Sequence, residues 1–179
     1  LNDLSMMAEK GHPISLERIK NISQSVTGRV KQADRVLKKL NRFSHSVDKT
    51  IEIVDIEKTV IFVLDLVSRL VDMQEAVVEV KAPLSPMLVD TNLFYMENMI
   101  WRAIKTACCA AGAKKKVTIS FGDDPKAPLI WFLMETLKEN AMDELFGSKQ
   151  DQALVSYLDI SIEKNIKNKR FGLLWPTRI

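Results

Sequence analysis

The chain has 179 residues, 46% of them hydrophobic and 27% charged, with a formal net charge of +3. That length suffices for one domain, or a small domain with an appendage, and the hydrophobic share can fill a real core. Lys and Arg are interleaved with Asp and Glu, so the mild basicity does not point to nucleic acid. No apolar run reaches the length of a membrane span: the run ending at Leu64 is interrupted by Asp65. No signal peptide is recognisable. The two cysteines, Cys108 and Cys109, are adjacent, a poor placement for a disulfide and too few for a metal site. A reducing cytoplasm is the expected setting.

Residues Leu1 to Lys10 read as helical, with Leu1, Leu4 and Met7 or Ala8 on one face. Gly11-His12-Pro13 is a turn signal, with His12 a solvated turn residue. From Ser15 to Val47 there is no proline, and Ile19, Ile22, Val26, Val30, Ala33, Leu37, Leu40, Phe43 and Val47 fall at helical spacing. Such a helix is roughly 50 Å long at the standard rise. A single apolar stripe of that length must bury itself against other helices, so a hairpin or bundle is required. The first arm is too short to cover the second. We expect either that it continues upstream of Leu1 or that another subunit fills the gap.

The remainder alternates strands and helices. Val54-Asp55-Ile56 is an extended lead-in, and Glu57 to Asp72 a helix with Val60, Val63, Leu64, Val67 and Val71 inward. Ala76 to Val80 is β-branched and reads as a strand. Pro83 and Pro86 bracket a loop, and Thr91 to Ala111 is helical. Lys116 to Phe121 and Pro128 to Met134 are strands, joined by a turn at Gly122-Asp123-Asp124-Pro125. Leu137 to Phe146 and Ala153 to Lys164 are predicted helices, and Arg170 to Trp175 is a last strand stopped by Pro176. The pattern predicts an α+β chain in two parts. Residues 1-50 form a helical hairpin, and 51-179 form an α/β sandwich with helices on one face of a single sheet. Trp101, Trp131, Trp175 and the methionines are read as packing residues. Small residues around Cys108 suggest close helix–sheet packing. Glu135, Glu139, Asp143 and Glu144 form an acidic helix face with no catalytic pairing.

This order of elements resembles the transmitter of sensor histidine kinases, a dimerising helical hairpin followed by an ATP-binding α/β sandwich. Ala33 to Ser46 is similar to the end of the family's second hairpin helix, and Val54 to Ile56 to its lead-in to the ATP-binding domain. Met87 to Leu93 resembles the Asp-x-x-x-Leu approach to the first nucleotide helix. Met96 to Thr106 resembles that helix, the N-box; Val117 to Ile119 and Arg170 to Pro176 match the framing strands. The resemblance covers nearly the whole chain and implies a dimer whose two hairpins form a four-helix bundle. It also implies docking of a response-regulator receiver domain on the surface of Ile19, Ile22, Val26 and Arg29.

The departures from the family pattern bear on function. The N-box reads Asn-aliphatic-x-x-Asn-Ala; here Asn98 and Ala103 are kept, but Arg102 replaces the second Asn, which in the family holds magnesium. A guanidinium has no lone pair for a cation, though it pairs well with anions. The six glycines, Gly11, Gly28, Gly112, Gly122, Gly147 and Gly172, are nowhere close together. Neither Asp-x-Gly-x-Gly nor a glycine-rich phosphate cradle is therefore present, and the stretch after Met134 is short for the usual nucleotide lid. The family's phosphoacceptor histidine would lie upstream of Leu1. Of the histidines present, His45 stands near the height of that acceptor and is a weak phosphoacceptor candidate.

These features predict a two-component protein of histidine-kinase type that does not bind ATP. It would act as a dimeric adaptor or phosphotransfer partner of a response regulator, with Asn98 and Arg102 as a remnant N-box and no cofactor. An active kinase, using ATP and magnesium through segments absent from this sequence, is the alternative. A helical-bundle interaction module without two-component links is the second.

Overall fold

The computed structural model describes Lys10 and residues 15–48, 50–124, 126–137 and 146–176. The predicted first helix and His12 lie outside these residues, as does most of the predicted helix from Leu137 to Phe146 with Glu139, Asp143 and Glu144 of its acidic face. The described chain divides into two compact units, Leu1–Ser44 and His45–Ile179.

The first unit is the long helix α1, Leu16–His45, whose last residue falls in the second unit. Ser15 opens it, its Oγ accepting from the Arg18 amide at 3.2 Å. None of its residues is buried, and Ile19, Val26, Val30, Leu37 and Leu40 are all exposed along the helix. The apolar stripe exists as predicted and is uncovered among the described residues.

The second unit holds β1 (Glu52–Asp55), α2 (Ile56–Met73), β2 (Val77–Val80), β3 (Leu88–Thr91), α3 (Leu93–Ala110), β4 (Lys116–Phe121), β5 (Leu129–Met134), α4 (Lys149–Leu158), β6 (Ser161–Asn165) and β7 (Arg170–Leu174). Strands β1 and β3 form a two-stranded antiparallel ladder, and the other five a mixed sheet in the order β2-β4-β5-β7-β6. Only β2 and β4 run parallel, and α3 lies in the connection between them. Along β4, β5 and β7 the period of two puts Val117, Ile119, Ile130, Phe132, Met134, Phe171 and Leu173 on one buried face. Phe132 and Phe171 stack across β5 and β7 with ring centroids 5.0 Å apart. Each such fully buried ring contributes about 1.5–3 kcal/mol by burial. Helix α2 buries Val60, Val63, Val67 and Val71 in this core, and α3 buries Met96, Met99, Ile100, Ala103, Ile104 and Ala107.

The helix starts follow local chemistry. Asp55 caps α2 by accepting from the Lys58 amide, and Asn92 caps α3 by accepting from the Tyr95 amide at 3.0 Å. The Asn92 amide nitrogen also donates to the Thr50 carbonyl at 2.8 Å, tying α3 to the lead-in of β1. Helix α3 ends where Gly112 adopts φ +70°, the left-handed conformation that suits glycine.

Three expectations are corrected. The strands form two sheets rather than a single one, because β1 and β3 pair only with each other. Thr91 does not begin a helix: it is the last residue of β3, with Val89 and Thr91 buried and Leu88 and Asp90 exposed, and α3 begins after its Asn92 cap. The helix predicted from Ala153 to Lys164 stops at Leu158. Asp159 turns left-handed at φ 56°, and Ser161–Asn165 becomes the edge strand β6, paired with β7. A tight turn follows, with Asn165 Oδ1 accepting from the Asn168 amide at 3.1 Å and Lys169 at φ 51°. Among the described residues no helix is long and apolar enough to cross a membrane.

Candidate functional site

The N-box candidates lie on α3, whose buried side faces the core and whose other side meets α4. Between these helices is a cleft of about 460 Å³ lined by Phe94, Tyr95, Asn98, Arg102, Gln150, Ala153, Leu154 and Tyr157. Asn98 and Arg102 are one helical turn apart and so project together toward it. The Asn98 amide nitrogen turns back on its own helix, donating to the Phe94 carbonyl at 3.1 Å. Tyr95 and Tyr157 meet edge to face across the cleft mouth, ring centroids 4.6 Å apart, and Phe94 and Tyr95 do the same at 5.5 Å.

At the polar end of the cleft Arg102 is anchored from within. Arg102 Nη1 donates to Oδ1 of Asp151, a residue in the first turn of α4. The Asp151 side chain is 5% exposed and that of Arg102 36%. Ser148 caps α4: its Oγ accepts from the Asp151 amide at 3.1 Å and donates to Asp151 Oδ2 at 2.5 Å. The Asp151 carboxylate thus receives a guanidinium on one oxygen and a hydroxyl on the other. It lies at the positive end of the α4 dipole, where an anion is favoured. Asp151, Ser148 and the two tyrosines were not singled out from sequence. The one local signal was Ser148-x-x-Asp151, a capping pattern that marks a helix start.

The other predicted site residues lie elsewhere. Ile19, Ile22, Val26 and Arg29 are on α1, within the first unit. His45 is the last residue of α1, exposed, with Nδ1 2.8 Å from Asp48 Oδ2. When Nδ1 carries the proton in that contact, Nε2 is the nucleophilic nitrogen. Among the described residues no group of three or more His, Cys, Asp or Glu could hold a metal ion. Asp123 and Asp124 stand in the turn between β4 and β5, as expected. Cys108 is buried and burial pushes its thiol up to about 11, with the neighbouring Cys109 adding to the shift; Cys109 is exposed. Trp175 is buried, whereas Trp131 lies on the other face of the sheet beneath the Arg170 guanidinium, 3.9 Å from its ring centroid.

No family model matches the chain, and no curated protein matches its sequence. Its fold does match solved structures. The histidine kinase AdeS of Acinetobacter baumannii aligns over 98% of this chain and 92% of its own, with a TM-score of 0.56 and 14% identity. The histidine kinase ThkA, in a complex with the response regulator protein TrrA, aligns over 96% of this chain and 55% of its own, with a TM-score of 0.55 and 14% identity. The histidine kinase domain of the E. coli osmosensor EnvZ aligns over 73% of this chain and 91% of its own, with a TM-score of 0.53 and 12% identity. At these identities the likeness is one of fold: the helices and mixed sheet have the architecture of histidine-kinase catalytic domains.

Proposed function

We propose that the chain is a two-component signalling protein of histidine-kinase type with a degenerate nucleotide site, acting as a dimeric adaptor or phosphotransfer partner of a response-regulator receiver domain. One observation carries this reading: Arg102, where the family pattern has its second N-box Asn, is held by the buried carboxylate of Asp151. Arg102 offers no lone pair to magnesium. The first turn of α4, a natural place for a phosphate, already holds a carboxylate. A triphosphate entering there would meet the fixed negative charge of Asp151. The cleft is the feature that speaks for an active kinase, but ATP with magnesium does not fit the groups at its polar end.

The fold likeness to a kinase that binds a response regulator supports the receiver as partner. The stripe on α1, uncovered among the described residues, supports homodimerisation through a four-helix bundle, with Ile19, Ile22, Val26 and Arg29 as the receiver-docking surface. In the phosphotransfer role, phosphate passes between the receiver's Asp and a bundle histidine, with His45 the candidate within this sequence. The reading places the protein in the cytoplasm and assigns it no cofactor and no kinase reaction of its own. Sedimentation equilibrium at micromolar concentration tests the bundle. A dimer that Val30→Asp with Leu37→Asp dissociates supports it, and a monomeric wild type sinks it.

A further inference from the structure

We propose that the cleft between α3 and α4 binds a small aromatic monoanion, with its ring against Tyr95, Tyr157 and Leu154 and its anionic group on the Arg102 donors that Asp151 does not take. The inference rests on the degenerate-site reading and deepens it by naming what the cleft accepts in place of a nucleotide.

Three observations converge. First, the size of about 460 Å³ lies in the range of small-molecule sites, and the lining is mostly apolar with a few polar groups at one end, the usual make-up of such sites. Second, the aromatic wall is built and open. Tyr95 is 38% and Tyr157 55% exposed, yet the two rings hold each other edge to face at 4.6 Å, so a third ring finds a preformed surface. Third, Arg102 is the one ionised side chain among the described residues lining the cleft. A guanidinium has five donors; the bond to Asp151 Oδ1 uses Nη1, and the side chain stays 36% exposed. The remaining donors suit one carboxylate. A polyanion would bring further negative charge to a guanidinium already paired with Asp151. The complement of this cleft is therefore one ring system with one negative charge.

The test uses 2-naphthoate as probe, 2-naphthalenemethanol as its neutral counterpart, and the full chain by calorimetry. Wild type is expected to bind 2-naphthoate with a submillimolar Kd. Arg102→Gln should weaken 2-naphthoate at least tenfold while changing the neutral probe less than twofold. Ala153→Trp fills the cleft from an exposed position on α4 and should abolish binding of both probes with an unchanged melting curve. Absence of 2-naphthoate binding to wild type at millimolar concentration overturns the inference, as does equal affinity for Arg102→Gln or indifference to Ala153→Trp. Magnesium-ATP in the same cell separates the two readings. If neither 2-naphthoate nor ATP binds, the monoanion site falls and the degenerate nucleotide site stands. If ATP displaces 2-naphthoate, the degenerate-site reading falls and the monoanion preference with it.

Discussion

Breaking the pair between Arg102 and Asp151 probes the feature on which the account turns. Asp151 is nearly fully buried and accepts from both Arg102 and Ser148, so Asp151→Asn keeps its shape while removing its charge. A hydrogen bond to a charged group contributes about 1.5–3 kcal/mol when shielded. The 36% exposure of Arg102 calls for a discount toward the surface value of about 0–1 kcal/mol. The coupling should therefore fall at about 1–2 kcal/mol. Loss of the carboxylate from the first turn of α4 adds about 0.3–1 kcal/mol, which brings Asp151→Asn to about 2 kcal/mol, or roughly 4–8 °C in Tm. Arg102→Gln strands the buried carboxylate and should cost a similar amount. In a double-mutant cycle by urea denaturation, the double variant should then lose about 2.5 kcal/mol rather than the additive sum of about 4 kcal/mol. Additivity to within about 0.3 kcal/mol would refute the claim that these residues act as a unit.

Three further outcomes follow from other parts of the fold. Gly172 faces Trp131 across the ladder, and a Cβ there would stand 2.9 Å from Leu129 Cδ1 and Trp131 Cε3. Gly172→Ala should cost about 1–3 kcal/mol by overpacking and blue- or red-shift Trp131 emission; a neutral effect would show that this face yields freely. For Asp55, partial burial works to raise the carboxyl pKa, but hydrogen bonds from the Lys58 side chain and amide outweigh it, and the net pKa is lowered. A depressed folded pKa gives stability that is present above the unfolded value of 3.8 and is lost as pH falls through the folded one. Asp55→Asn should therefore flatten the stability profile below about pH 4, and an unchanged acid limb would contradict the assignment. The two cysteines should separate under thiol labelling at pH 8: Cys109 reacts in the native state and Cys108 only in denaturant. Native labelling of both would contradict the burial of Cys108.

What the sequence conveyed depended on how local the determinant was. Strand β4 and helix α2 were legible to within a residue or so at each end, because the β-branched alternation and the helical spacing of Val60, Val63, Val67 and Val71 are local patterns. Strand β3 was missed. Its four-residue alternation abuts a helix cap, and it is defined by pairing with β1, 35 positions earlier in the register Val54 to Val89. Strand β6 was misread because Ser161–Asn165 has little β-branched content and is an edge strand specified by β7. At the site, Arg102 in the N-box pattern was visible, but its partner was not. Asp151 lies 49 residues away, and the two meet only because α3 and α4 pack together. The aromatic wall was hidden for the same reason, since Tyr95 and Tyr157 come from different helices.

The central claim is that this site, built on a histidine-kinase catalytic-domain fold, does not take nucleotide. Calorimetric titration of the purified chain with a non-hydrolysable ATP analogue and magnesium tests it most directly. The account predicts no heat of binding up to millimolar nucleotide, with Arg102 still held by Asp151. Binding in the micromolar range would contradict it and put an active kinase in first place.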